Sequence, residues 1–373
     1  MSLENEAPSD LESTRDFYRR YVSGMTREQL GRDFHADSDR LKQLYREAVG
    51  ESISQQSPDD VPAYVKIMRL FNTIASRLNP VRRLFFGLSI VGFIIYHVTS
   101  GLFSNLLLPL SFLALIVLLM IELLEKSDVQ KEIDLARQIQ LSLLPDSEYT
   151  TEDLEIHSFA HTANEVGGDY VDTIQTKNGT YVIIADVSGK GLSAALYMVR
   201  LQALVHLLLA KYELSPKELL VELNDYVKSD IKDKTFVTAA SAFFPHNEHC
   251  FTFARAGHNP PIYFNKEEDQ VKILKSEGFA LGMTTTSMLK NRLSHEKFYF
   301  KSGDSVLFYT DGLTEARNKE GQEFGTAQLE TIMDIYGSLH ASSIINKVQS
   351  SLELFVEGGS TADDITFTCV HRP

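Results

Sequence analysis

Glu165–Met198 reads EVGGDYVDTIQTKNGTYVIIADVSGKGLSAALYM, and the fold turns on how this stretch is read. Tyr181–Ala185 is a short apolar run rich in β-branched residues, the pattern of a buried strand. Asp186 follows it, then Ser188-Gly189-Lys190-Gly191, then a long apolar run with helical character. Asp169 stands directly after Gly167-Gly168, where a second strand pattern begins. A carboxylate at a strand end, beside glycines that allow close backbone approach, suits a hard cation. Each glycine–aspartate pair alone also fits an ordinary turn, so the case depends on the rest of the chain.

Two further stretches repeat the arrangement. Ser305–Tyr309 is an apolar strand that delivers Thr310-Asp311-Gly312, and Asp363-Asp364 immediately precedes the final strand pattern, Ile365–Val370. Asp169, Asp186, Asp311 and Asp363 or Asp364 therefore all occupy strand ends. Carboxylates converging from strand ends repel one another and raise each other's pKa unless cations neutralise them. An all-oxygen site of this kind selects Mg²⁺ or Mn²⁺ over zinc or copper. Two such ions sharing a carboxylate and a water are a device for phosphoryl hydrolysis.

Between these stretches the pattern predicts strands at 154–162, 170–176 and 180–186, then helices at 192–212 and 216–230. Ser215-Pro216-Lys217-Glu218 is a capping box with proline at the first helical position. Strands follow near 236–244, 250–256, 261–265, 270–275, 297–301 and 305–310. Helices at 326–336 and 341–356 precede the last strand at 365–370. Runs of strands, then helices, then strands define an α+β domain with mainly antiparallel sheets.

Upstream, residues 1–12 are polar and acidic. Helical spacing follows at Phe17, Tyr21, Leu30, Phe34, Leu41, Leu44 and Tyr45, and again over 61–78 after the breaker Gln56-Ser57-Pro58-Asp59. No chemical motif stands out in this helical N-terminal region, residues 1–80. Leu84–Ile121 contains no Asp, Glu, Lys or Arg. One straight helix over that range would be roughly 57 Å long, against a hydrocarbon core of about 30 Å. Ser100-Gly101 and Ser104-Asn105 supply a break, so two passes fit better, at about 84–100 and 105–123, within a transmembrane hairpin at 81–125. Arg77, Arg82 and Arg83 flank the first pass while the connecting loop is uncharged, which keeps both ends on the cytoplasmic side of the plasma membrane. The alternative is a buried hairpin in a soluble protein. His97 reads as an interfacial residue rather than a ligand. The 126–147 linker keeps apolar residues at Val129, Ile133, Ala136, Ile139 and Leu143, a coiled-coil-like seam that pairs with a second copy or packs on its own domain.

A net charge of −14 argues against nucleic-acid binding through a basic face. Cys250 and Cys369 lie in apolar runs and read as reduced core residues, not as a disulfide or a zinc site. The chain has no tryptophan, and no secretory signal or internal repeat is visible in it.

EVGGDYVD, ADVSGKGLSAALYM, ARAGHNPP, GDSVLFYTDGLTEARN and DDIT, in that order, resemble the PPM (protein phosphatase 2C-like) superfamily in its bacterial SpoIIE/RsbU branch. The resemblance extends over residues 130–373, with Ala136-Arg137-Gln138-Ile139-Gln140 and Leu143-Leu144-Pro145 in the linker. Five ordered motifs are specific where any one is weak. The resemblance implies an α-β-β-α sandwich over 148–373 and metal-dependent serine/threonine protein phosphatase activity. It carries the metal aspartates onto Asp169, Asp186, Asp311 and Asp363, with a carbonyl from Val187 and with Asp364 as a further candidate. It implies two Mn²⁺ or Mg²⁺ ions and a phosphorylated anti-sigma-factor antagonist as substrate. The expectation is a membrane-tethered phosphatase, homodimeric through the linker, whose chemistry is attack by a metal-bridging water. The alternative is a catalytically silent scaffold of the same fold that binds a signalling partner.

Two other motif readings fail. A P-loop needs glycine at 184 and Ser or Thr at 191, where Ile184 and Gly191 stand. Gly189-x-Gly191-x-x-Ala194 fits a dinucleotide fingerprint, but no second parallel strand with an acidic residue follows. His258, in Gly257-His258-Asn259-Pro260-Pro261, reads as a loop-fixing imidazole or a proton donor. Lys190 reads as a phosphoryl-binding or a solvated lysine. Glu315 and Arg317 read as loop supports. No arginine clamp for phosphate is visible.

Overall fold

The structure is a computed structural model. It describes residues 80–98 and 102–373, apart from 146, 164, 231–234 and 358–362, with scattered positions between 65 and 79. The helical seam expected from Phe17 to Tyr45 lies outside the described residues, as does the Ser100-Gly101 break. The chain divides into two compact units at Ser127/Asp128.

In the first unit, α1 (Pro80–Val98) lies beside the upstream part of α2 (Leu102–Leu143). Ser89 donates to the carbonyl of Ser111 at 2.8 Å, and Gly92 sits against Ser111. Small residues at this crossing let the two backbones approach. Arg82 pairs with Glu122 at 2.7 Å and with Glu125. Large apolar side chains of both helices face outward, among them Leu84, Val91, Leu113 and Leu119. α2 carries Pro109 inside it and runs without interruption from the apolar stretch through the linker sequence. The second pass and the linker share one helix, as the continued helical pattern after Glu122 led one to expect. Helix-forming residues continue through Glu122–Ser127, so polarity changes there while the backbone pattern does not.

The second unit is built on two antiparallel sheets. One has the order β1-β2-β11-β10-β7-β8, from β1 (Glu148–Thr150), β2 (Glu155–His161), β11 (Ile365–His371), β10 (Ser305–Tyr309), β7 (Ile262–Asn265) and β8 (Gln270–Ile273). The other has the order β3-β4-β5-β6-β9, from β3 (Asp169–Gln175), β4 (Gly179–Val187), β5 (Val237–Pro245), β6 (Cys250–Ala256) and β9 (Glu296–Tyr299). Side-chain alternation assigns the layers. Val182 and Ile184 of β4 meet Val306 and Phe308 of β10 in a core between the sheets, filled by Phe244, Phe251, Phe253 and Phe300. Ile183, Ala185 and Val187 point the other way, onto Met198, Leu201 and Val205 of α3 (Leu192–Lys211) and Leu219, Leu220 and Leu223 of α4 (Pro216–Asp230). Leu307, Tyr309 and Phe367 pack on Leu329 and Met333 of α7 (Gly325–Tyr336) and Ile344, Ile345 and Val348 of α8 (Ala341–Val356). The layers are thus α-β-β-α. Strands covered on both faces explain why Tyr181–Ala185 is apolar throughout rather than alternating.

The short strand β1, a helix α5 (Thr286–Arg292) and a five-residue helix α6 (Asp311–Glu315) were not expected from the pattern. Each is too short to show a period. The linker seam divides: Val129 and Ile139 are exposed, whereas Ile133, Ala136 and Leu143 are half-buried. Cys250 and Cys369 are free and buried.

Candidate active site

The β3–β4 register sets Asp169 opposite Asp186, and the β4–β5 register sets Asp186 opposite Thr238. The aspartates thus share one edge of their sheet. Thr310, at the end of β10, reaches across from the other sheet: its hydroxyl lies 2.9 Å from Asp169 Oδ2. Thr310 exchanges backbone and side-chain hydrogen bonds with Thr366 of β11. Asp311 and Asp363-Asp364 therefore leave their strands beside Asp169.

Glycines make this approach possible. A β-carbon at Gly312 would lie 1.9 Å from the carbonyl oxygen of Asp364, and one at Gly167 would lie 2.4 Å from Asp364 Oδ2. These positions require the absence of a side chain. Asp364 accepts from the amides of Ala163 and Gly168 at 2.8 and 2.7 Å, one on each carboxylate oxygen. From the opposite side Gln140 of α2 holds Gly167 by two bonds, Nε2 to the carbonyl at 2.6 Å and Oε1 from the amide at 3.1 Å. Asp169 is thereby fixed by backbone contacts on both sides of its loop.

The electrostatics show mutual repulsion. Burial, then the charge of Asp186, raises the Asp169 carboxyl well above the usual range, against the hydroxyls of Thr366 and Thr310. Burial, then Asp311, Asp363 and Asp364, raises Asp186 to about 7. Asp311 is raised by burial and by Asp363. Lys190 opposes the shifts of Asp186 and Asp311 and pairs with Asp363 at 3.0 Å. Among the described residues no three His, Cys, Asp or Glu side chains are already gathered as a closed metal cage. Even so, the donor set suits hard divalent cations: all oxygen, mutually repelling, and short of positive charge. Asp169, Asp186, Asp311 and Asp363 are the residues that would hold them, with the Val187 carbonyl beside Asp186. Asp364 accepts one amide on each oxygen and so also holds the Gly168-Asp169 backbone; a carboxylate oxygen with one such bond keeps a lone pair for a cation, so Asp364 stays a further candidate.

His258 is buried, and its Nδ1 lies 2.9 Å from Thr238 Oγ1. Burial and the nearby Arg255 push its pKa down to about 3, so it is neutral near pH 7 and ties a loop rather than donating protons. Arg255 bonds the carbonyls of His258 and Ser276. Arg317 pairs with Glu323 at 2.7 Å across a short bridge, as a loop support. Gln140 and Thr310 were given no role by the sequence reading, although both lie inside the motifs that it quoted.

The fold and this aspartate edge define a PPM-type serine/threonine protein phosphatase. Residues 176–373 match the family described as Stage II sporulation protein E (SpoIIE), and the chain belongs to that family. Phosphoserine phosphatase RsbU of Bacillus subtilis (strain 168) is 27% identical over 247 residues, 66% of this chain and 72% of RsbU. The SiaA-PP2C domain of Pseudomonas aeruginosa superposes with a TM-score of 0.57 at 18% identity, covering 67% of this chain and 98% of that domain. The PP2C domain of SpoIIE from Bacillus subtilis, solved with a fragment of its regulatory domain, gives 0.51 at 15% identity, covering 60% of this chain and 64% of that one.

Proposed function

We propose that this protein is a membrane-tethered, metal-dependent phosphatase that hydrolyses phosphoserine or phosphothreonine on a regulatory protein of the anti-sigma-factor antagonist kind. The observation that carries the reading is the meeting of Asp169, Asp186 and Thr310 across two sheets, with Asp311 and Asp363 leaving adjacent strands. Bound Mn²⁺ or Mg²⁺ would activate water and offset phosphoryl charge. The chain's own contribution is placement. Asp186 presents its carboxylate at the sheet edge, and Thr310 orients Asp169 through its hydroxyl. Asp364 and Gln140 hold the backbone that carries Asp169. The intact aspartate set argues against a silent scaffold.

The substrate class draws on RsbU, the phosphoserine phosphatase to which the chain is similar. Membrane attachment draws on α1 and α2. Among the described residues three helices are long and apolar enough to cross a bilayer, but Leu192–Lys211 is 44% buried, against 6% for the spans in α1 and α2. That helix packs its buried face on β4 as an outer layer of the sandwich. Exposed Val129 and Ile139 support pairing of two linkers.

Release of inorganic phosphate from phosphorylated antagonist proteins, with Mn²⁺ and with excess chelator, tests the reading. The expected result is turnover that needs the metal. Full activity in chelator, or none with metal on any phosphoprotein, overturns it.

A further inference from the structure

Ser188–Gly191 joins β4 to α3 at the edge that carries Asp186. A side chain added at Gly189 or Gly191 would meet nothing within 4 Å. Both glycines have positive φ, 109° and 72°, so Lys190 sits between two left-handed steps on an open loop. Its ammonium lies 3.0 Å from Asp363 Oδ2, and the two side chains are 54% and 43% exposed. The same charge pulls Asp186 and Asp311 down against their neighbours. One flexible side chain thus acts on three of the candidate metal carboxylates.

We propose that Lys190 is a displaceable cation, which competes with divalent ions for Asp363 and, once displaced, binds the phosphoryl group at the mouth of the site. The second half rests on the phosphatase reading above. An ammonium and a divalent cation on one carboxylate repel each other at close range, so a cation at Asp363 drives Lys190 outward. The Lys190 side chain is 54% exposed, so its outer side faces solvent. A phosphoryl dianion approaching a wall of carboxylates needs positive charge on its outer side. Arg255 and Arg317 are engaged elsewhere, with carbonyls and with Glu323. A lysine suits the task because its compact charge and four-carbon stem can change partner without a fixed fork geometry.

The test is calorimetric titration of the full chain in lipid nanodiscs, comparing the parent with Lys190→Gln and Lys190→Arg. Mn²⁺ is titrated first, then inorganic phosphate into the Mn²⁺-loaded protein. Lys190→Gln is expected to bind Mn²⁺ about two- to fivefold more tightly, the scale of a half-exposed ion pair. It is expected to bind phosphate about fivefold to tenfold more weakly, and Lys190→Arg to restore phosphate binding to within about twofold of the parent. Unchanged or weaker Mn²⁺ binding in Lys190→Gln overturns the proposal. So does unchanged phosphate affinity, or no phosphate binding to the parent. Neither titration needs turnover. Should both behave as expected while no phosphoprotein is hydrolysed, the phosphatase reading falls and the competition of Lys190 with the cation at Asp363 stands.

Discussion

Replacing Asp186 by asparagine tests the electrostatic argument and the chemistry together. Asp186 is raised from the ordinary 3.8 to about 7, mainly by burial and then by Asp311, Asp363 and Asp364. A raised carboxyl pKa means that the folded protein binds this proton more tightly than the unfolded chain does. Stability therefore falls as pH rises from about 4 to about 7, and the loss is complete above that. Three units correspond to about 4 kcal/mol at most, and solvent at the partly open edge reduces this to roughly 2 kcal/mol. For a unit of this size that is a shift of about 4–8 °C in Tm. In chelator at pH 8, Asp186→Asn should melt higher than the parent by this amount, and the two should converge near pH 4. With Mn²⁺ the order should reverse, because the parent gains stability from binding and the variant loses a ligand. The chain has no tryptophan, so unfolding is followed by calorimetry or by tyrosine near-UV dichroism. Phosphate release should fall by at least about a hundredfold, the scale of losing a group that positions the reacting charge. A variant no more stable than the parent at pH 8 would refute the repulsion argument. Retained turnover would refute the role of Asp186 in metal binding.

Gln140→Leu keeps the volume but leaves the buried Gly167 amide and carbonyl unpaired, so calorimetry should show a loss of about 2–4 kcal/mol; unchanged stability and turnover would mean that the linker does not brace the Asp169 loop. Protease protection in sealed vesicles of both orientations should show the phosphatase unit and the N-terminus on the cytoplasmic side, and digestion of the phosphatase unit from the outer face contradicts the hairpin. Polar replacement of exposed Ile139 should lower the oligomeric state by light scattering, whereas the same change at half-buried Ile133 should also lower Tm.

Much of the sandwich was legible because its strands are long enough to show their period. Tyr181–Ala185 and Ser305–Tyr309 are buried on both faces, so they read as unbroken apolar runs, and an aspartate follows each within two residues, Asp186 and Asp311. Asp169 opposite Asp186 follows from a hairpin a few residues long, which the sequence displays locally. What the sequence left open was pairing between distant segments. That Thr310 meets Asp169, or that Asp364 serves the amides of Ala163 and Gly168, depends on two sheets closing over Phe251 and Phe300. Gln140 looked like one polar residue in a helical seam; only its burial against Gly167 gives it a role.

These long-range contacts also account for the two kinds of glycine around the site. Gly189 and Gly191 adopt positive φ where an added β-carbon would meet nothing within 4 Å. Gly167 and Gly312 stand where the Asp364 side chain and carbonyl leave no room for a β-carbon. The first pair shapes an open turn; the second enforces contact. A substitution at Gly312 must push Asp364 away, and Asp364 holds Gly168, so Asp169 would move with it although the two substituted and displaced positions are far apart in sequence. The Asp169 loop is thus held by Gln140 of α2 and by Asp364, the residue just before β11.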